Sequence, residues 1–279
     1  MDNKNVWFVT GASKGLGRSL VKQLLQKGYK VAATSRNIDD LRKVAADENF
    51  LPLAMDLKTE ASIQDAVAAT ISRFGRIDVL VNNAGYGQVG SLEELSDAEA
   101  RANFDVNVFG LLNVTRSILP HMRAQQSGRI FNISSIAGFT GYFAGFGIYC
   151  ATKFAVDGLT ESLAAEVAPF GIKVTIVAPG YFRTDFLSSG SLGLPAKQID
   201  AYANVREAQQ VHQQNINGNQ PGDPEKAVAA LIDLAASPEA PMHLFLGEDA
   251  YQLAYQKMAA VEADLEQWKA VTVGTAIVA

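Results

Sequence analysis

Short runs of β-branched and aromatic residues alternate along this chain with longer stretches in which apolar positions return every three or four residues. The first runs, at 6–10, 30–34 and 51–55, enclose helical patterns that reach about position 27 and cover 39–47. The alternation continues with a helix over 60–74, a strand over 79–82, helical stretches from 97 to 126 and a strand over 129–134. A long helix over 149–168 precedes a strand at 173–177, and a helix over 224–236 precedes a short strand at 243–246. Seven strands joined by helical crossovers predict an α/β fold: a doubly wound parallel sheet with helices on both faces. Ligands of such sheets lie beyond the carboxyl ends of the strands, where the strand order reverses.

One domain is expected over 1–279, since parallel α/β folds use about this length for a single unit. The stretch 185–222 breaks the alternation with a start rich in Gly, Ser and Leu, an amphipathic middle and a polar run at 213–220. An insertion of this kind reads as a substrate-binding lid, with disorder as the alternative. A hydrophobic fraction of 48% against 19% charged residues suits a chain with a large packed core. With 24 Lys and Arg against 29 Asp and Glu, the net charge of -5 gives no electrostatic reason to expect a nucleic-acid or anionic-membrane partner. The single cysteine, Cys150, excludes an internal disulfide and any multi-cysteine metal site, and cytoplasm is the expected compartment. No apolar run approaches the roughly 20 residues that span a bilayer. His121, His212 and His243 are far apart in sequence and lack metal-ligand spacing, so no metal is expected.

Candidate chemistry begins at Thr10-Gly11-Ala12-Ser13-Lys14-Gly15-Leu16-Gly17, which follows the first strand and opens the first helix. Glycines here let a pyrophosphate approach backbone N–H groups at a helix N-terminus, where the helix dipole favours an anion. Further motifs follow in order. Asp56 ends the third strand, Asn82-Asn83-Ala84-Gly85 ends the fourth, and Asn107 stands in Asn-Val-Phe-Gly. Ser134-Ser135 close the fifth strand, Tyr149-x-x-x-Lys153 opens the next helix, and Pro179-Gly180 ends the sixth strand with Thr184 four residues on. This series, over about 6–185, resembles the short-chain dehydrogenase/reductase family, with its Rossmann-type sheet.

The resemblance implies Tyr149 as general acid/base and Lys153 as its electrostatic aid and a ligand of the cofactor ribose. It implies that Asn107 holds a water linking the lysine to solvent. Four residues apart at a helix start, Tyr149 and Lys153 share one face, and a nearby ammonium favours the phenolate. Ser135 supplies a hydroxyl for an oxygen that gains negative charge, with Ser134 as its rival. The interval from Ser135 to Tyr149 is one residue longer than the family spacing, which implies an insertion in the loop between them. The implied cofactor-binding set is Gly11, Ser13, Lys14, Gly15, Leu16, Gly17, Ser35, Arg36, Asp56, Leu57, Asn83, Ala84, Gly85, Tyr149, Lys153, Pro179, Gly180 and Thr184.

The second strand ends in Ala33-Thr34-Ser35-Arg36, without the carboxylate that binds the ribose 2′-hydroxyl of NAD. Arg36 and Lys14 can approach a 2′-phosphate, and Ser35 adds a hydroxyl, so NADP(H) is the expected cofactor. The expected activity is an oxidoreductase interconverting a ketone or aldehyde and an alcohol. A catalytically silent nucleotide-sensing regulator and a dimer-forming scaffold are the alternatives. Phe139, Tyr142, Phe143 and Phe146 in one loop, with Phe186, Leu187, Leu192 and Tyr202 in the insertion, suggest a small-molecule substrate of apolar character. Phe109, Leu112, Phe154, Ala155 and Leu159 leave apolar surface on two helices. By resemblance the partner is the same helix pair in a second subunit, in a homodimer or homotetramer.

Overall fold

The computed structural model describes residues 5–188 and 190–277; positions 1–4, 278–279 and, within the 185–222 insertion, Ser189 lie outside the described residues. Among the described residues seven strands form one sheet: β1 Val6–Val9, β2 Lys30–Ser35, β3 Phe50–Ala54, β4 Val79–Asn82, β5 Gly128–Ile133, β6 Ile172–Pro179 and β7 His243–Leu246. Their order is β3-β2-β1-β4-β5-β6-β7, parallel throughout. The order reverses between β1 and β4, and that is where a crevice opens.

The two-residue period of the strands divides the core. Trp7, Val9, Val31 and Ala33 point to one face, where they meet Leu20, Val21 and Leu24 of α1 (Gly15–Gln26) and Val228, Leu231 and Ile232 of the helix Pro224–Ala236. Phe8 and Ala32, one residue out of phase, meet Ile63 and Val67 of α3 (Glu60–Phe74) and Val114, Ile118 and Met122 of α5 (Leu111–Gln125). Helices therefore cover both faces, and each fully buried large side chain contributes about 1.5–3 kcal/mol. Between these helices α2 spans Ile38–Arg42 and α4 spans Asp97–Phe104. The long α6 spans Gly147–Val167. The insertion carries α7, Ala203–Gln210; α8 is Pro224–Ala236, and α9 is Glu248–Gln267.

Local chemistry sets several boundaries. Gly75 takes a left-handed φ of 81° and stops α3, while Asp223 caps the Glu225 N–H and Pro224 begins α8. α2 ends short of the expected 47: after Arg42 the Val44 N–H turns back to the Leu41 carbonyl, and Asp47 then opens a second turn, its side chain accepting from the Asn49 N–H and its carbonyl from the Phe50 N–H. The expected helical stretch 97–126 is broken by a π turn, Asp105–Gly110, around Asn107. The insertion is more ordered than its composition implies, holding α7, a second π turn over Val211–Ile216, and Leu192–Gly193 paired in parallel with Gly87–Gln88. α9 was not foreseen from the pattern.

Candidate active site

The crevice is sewn together by side chains from the two strand ends that flank it. Thr10, 2% exposed, accepts through its hydroxyl from the N–H groups of Asn83 and Ala84, both at 3.0 Å. Asn83 Nδ2 donates back to the carbonyls of Thr10 and Gly11, also at 3.0 Å. Gly11 has a φ of +65°, and a Cβ on it would lie 2.7 Å from the Ala84 Cα. A Cβ on Gly17 would lie 2.5 Å from Asn83 Nδ2 and 2.7 Å from the Gly11 carbonyl. Both positions therefore demand glycine, for different reasons: backbone conformation at Gly11 and helix-to-strand approach at Gly17. The result is a cradle of backbone N–H groups at the start of α1.

A cleft of about 690 Å³ opens above this cradle. Every residue expected in the site lines it except Gly17, which packs beneath, and Asn107, which is buried behind Gly85. Ser35 donates to the Ser13 hydroxyl at 3.2 Å, bringing the end of β2 against the glycine loop. Arg36 lines the same rim. Lys14 reaches instead to the insertion, donating to the Gly190 carbonyl at 2.6 Å. The cradle and the flanking cation fit the phosphates of a dinucleotide.

At the far side of the cleft α6 presents Tyr149 and Lys153, 7% and 6% exposed. Lys153 Nζ donates to the Ile133 carbonyl at 2.8 Å and lies 5.8 Å from the centroid of the Tyr149 ring. Burial raises the Tyr149 phenol above its ordinary range, while the neighbouring Ser135 hydroxyl pulls it down. Burial lowers the Lys153 ammonium to about 8, opposed by Asp157 one turn further along α6. Burial thus opposes the phenolate that a nearby ammonium favours. The two serines differ. Ser134 turns away, donating to the Lys153 carbonyl at 3.5 Å, whereas Ser135 accepts from the Ala137 N–H at 3.1 Å and stands by the phenol.

Asn107 sits in the π turn, and its side chain bonds the Tyr86 backbone and Thr152. Its Oδ1 accepts from the Tyr86 N–H at 3.0 Å, and its Nδ2 donates to the Tyr86 carbonyl at 2.9 Å and to the Thr152 hydroxyl at 3.1 Å. It ties the segment after β4 to α6, next to Lys153. A π turn of this kind commonly marks a functional segment.

The opposite end of the cleft is aromatic: Phe143, Phe146 and Phe186 line it with Leu192 and Tyr149. Tyr142, Phe139 and Tyr202, expected in the same wall, do not line it. Tyr142 is 79% exposed, and Phe139 packs with Phe245 and Leu253. Residues not foreseen line the cleft too, Tyr181, Phe182 and His212 among them. Tyr181 directly follows Pro179-Gly180, a signal available in sequence; His212 lies 31 positions further on and carries none. Asp249 of α9 was also unforeseen. It accepts from the Tyr181 N–H at 2.6 Å and fills the space where a Cβ on Gly180 would sit. Among the described residues no group of three or more His, Cys, Asp or Glu side chains is arranged to hold a metal ion, and no helix is long and apolar enough to cross a membrane.

Residues 5–192 match the family model described as short chain dehydrogenase. A protein of Bacteroides thetaiotaomicron named 3-ketodihydrosphingosine reductase is 37% identical over 244 residues, covering 86% of this chain and 87% of its own. The crystal structure of a short-chain dehydrogenase from Streptomyces avermitilis is 40% identical with a TM-score of 0.90, covering 98% of this chain and 100% of that one. The 3-ketoacyl-(acyl-carrier-protein) reductase of Brucella melitensis, in complex with NADH, is 28% identical with a TM-score of 0.73, covering 86% and 96%. With the parallel sheet, the glycine cradle and the Tyr149/Lys153 pair in one cleft, these matches show that the chain belongs to the short-chain dehydrogenase family of oxidoreductases.

Proposed function

We propose that this protein is an NADP(H)-dependent oxidoreductase interconverting a bulky apolar ketone or aldehyde and its alcohol, with Tyr149 as general acid/base. The observation that carries this reading is the meeting of the Ser135 hydroxyl, the Tyr149 phenol and Lys153 at the end of the cleft opposite the glycine cradle. A bound nicotinamide supplies or accepts the hydride. In reduction, Ser135 donates a hydrogen bond to the carbonyl oxygen as negative charge gathers there. Tyr149, kept protonated by burial, delivers the proton to that oxygen. Lys153, titrating near 8, restores the proton to the phenol. Asn107 holds the Tyr86 backbone and Thr152 in register beside that exchange. In oxidation the steps run backwards: uncharged Lys153 takes the phenol proton, and Tyr149 as phenolate takes the proton of the alcohol.

The segment 185–222 acts in this reading as a lid within a single domain. Phe186 and Leu192 contribute to the apolar wall, and Lys14 bonds it to the glycine loop. A relative whose name describes reduction of a keto group supports the direction. The test is a screen of NADPH oxidation over steroids, retinoids, aromatic aldehydes, quinones and keto acids. Consumption of bulky apolar carbonyl compounds is expected; activity confined to small charged keto acids would sink the substrate reading.

A further inference from the structure

The aromatic end of the cleft contains a polar pair whose every proton can be assigned. Tyr181 stands on the loop after β6, and His212 on the π turn after α7. The Tyr181 hydroxyl lies 2.8 Å from His212 Nε2, and His212 Nδ1 lies 2.7 Å from the Ala208 carbonyl. A carbonyl oxygen only accepts, so Nδ1 carries the hydrogen, and in the uncharged ring Nε2 is left as an acceptor. Tyr181 therefore donates its one hydroxyl proton to His212. Its oxygen keeps its lone pairs, beside a cleft otherwise walled there by Phe143, Phe146, Phe186 and Leu192.

The pair is held rigidly. Phe146 packs against the imidazole with ring centroids 4.6 Å apart, and Asp249 fixes the backbone of Tyr181. Phe146 also packs against Tyr149, with ring centroids 6.5 Å apart, so one ring joins the pair to the reacting end of the cleft.

We propose that Tyr181, oriented by His212, is a specificity residue that accepts a hydrogen bond from a hydroxyl or amine of the substrate, a few bonds from the reacting carbonyl. This rests on the carbonyl-reducing reading of the same cleft. Apolar walls alone would take any ketone of suitable bulk. An acceptor whose proton is already committed discriminates, because a substrate with no donor leaves it unpaired when water is excluded.

The test compares three compounds of equal chain length: a long-chain methyl ketone, its α-hydroxy analogue and its α-amino analogue. Their kcat and KM are measured with NADPH at fixed pH. Calorimetry then compares the matched alcohol and diol on the enzyme saturated with NADP+. One hydrogen bond predicts that a donor-bearing ketone is preferred by about tenfold or more in kcat/KM, mainly through KM, and that the diol binds more tightly than the alcohol. The two donor arms separate hydroxyl from amine recognition. Tyr181→Phe is expected to bring the preference below about threefold. His212→Phe should act alike, whereas His212→Gln, whose amide oxygen can take the same proton, should retain the preference. Equal kcat/KM and equal affinities in the wild type overturn the proposal, as does a Tyr181→Phe enzyme with its preference intact. Selective diol binding without turnover of any carbonyl would support this site and defeat the carbonyl-reducing reading.

Discussion

Ser35 and Arg36 stand where an NAD-specific site carries the carboxylate that accepts from the ribose 2′-hydroxyl. A carboxylate there would repel a 2′-phosphate, whereas Arg36 attracts it and Ser35 offers a hydroxyl. Lys14, the other expected phosphate ligand, is drawn to the Gly190 carbonyl, so most of the preference should come from Arg36. A hydrogen bond to a charged group contributes roughly 1.5–3 kcal/mol, so NADPH should bind about tenfold or more tightly than NADH. Arg36→Ala should erase most of that difference and Ser35→Asp reverse it, in dissociation constants at fixed ionic strength; equal wild-type affinities would contradict the argument. These residues were legible because each sits at a strand end or helix start within a short motif. Tyr181, His212 and Asp249 were not, because what matters about them is a partner far along the chain.

The elements divide in the same way. α3, β4, α8 and β7 follow the bounds expected from the pattern, and local signals such as Gly75 and Asp223-Pro224 set the helix ends. The π turn was not legible, and the bonds of its Asn107 run to Tyr86 and Thr152, far away in the chain. α9 was missed although its pattern is present: Tyr251, Tyr255, Met258, Val261 and Leu265 recur at helical spacing on a face that stays exposed, while only Ala250 and Ala254 of the helix are buried. α7 was hidden in a polar insertion, and long-range anchors hold it. Arg206 pairs with buried Glu94 at 2.6 Å, and Tyr202 donates to Glu93 at 2.7 Å. Burial pushes the Glu94 carboxyl up, but the Ile199 and Ser91 N–H groups, the Ser91 hydroxyl and Arg206 together outweigh it and leave it below its usual range. A depressed carboxyl stabilises above its unfolded pKa and loses that contribution as pH falls through its folded one, so the anchor weakens in acid. Arg206→Ala should loosen the lid. We expect KM for a bulky carbonyl to rise by about fivefold or more, roughly 1 kcal/mol, with faster proteolysis within 190–220 and little change in NADPH affinity. An unchanged KM and cleavage rate would remove the lid role.

At the scale of the molecule, the doubly wound parallel sheet was legible because each strand–helix–strand unit announces itself, while the strand order came only with the structure. The surface leaves Phe109 beside α5 at 52% exposure and, on α6, Phe154 at 44% and Leu159 at 37%. We expect these faces to meet in a symmetric dimer or tetramer, burying the apolar side chains against their copies. Sedimentation at micromolar concentration should show that oligomer, and a protein that sediments only as a monomer would exclude it. The central claim, that one cleft brings a substrate carbonyl to the Tyr149 proton, is tested most directly by the single-turnover rate of NADPH oxidation in Tyr149→Phe, which isolates chemistry from product release. The ring remains, so thermal unfolding and NADPH affinity should stay near wild type. The rate should fall by about a hundredfold or more, the usual contribution of a general acid; a variant that keeps more than about a tenth of the wild-type rate would contradict the account.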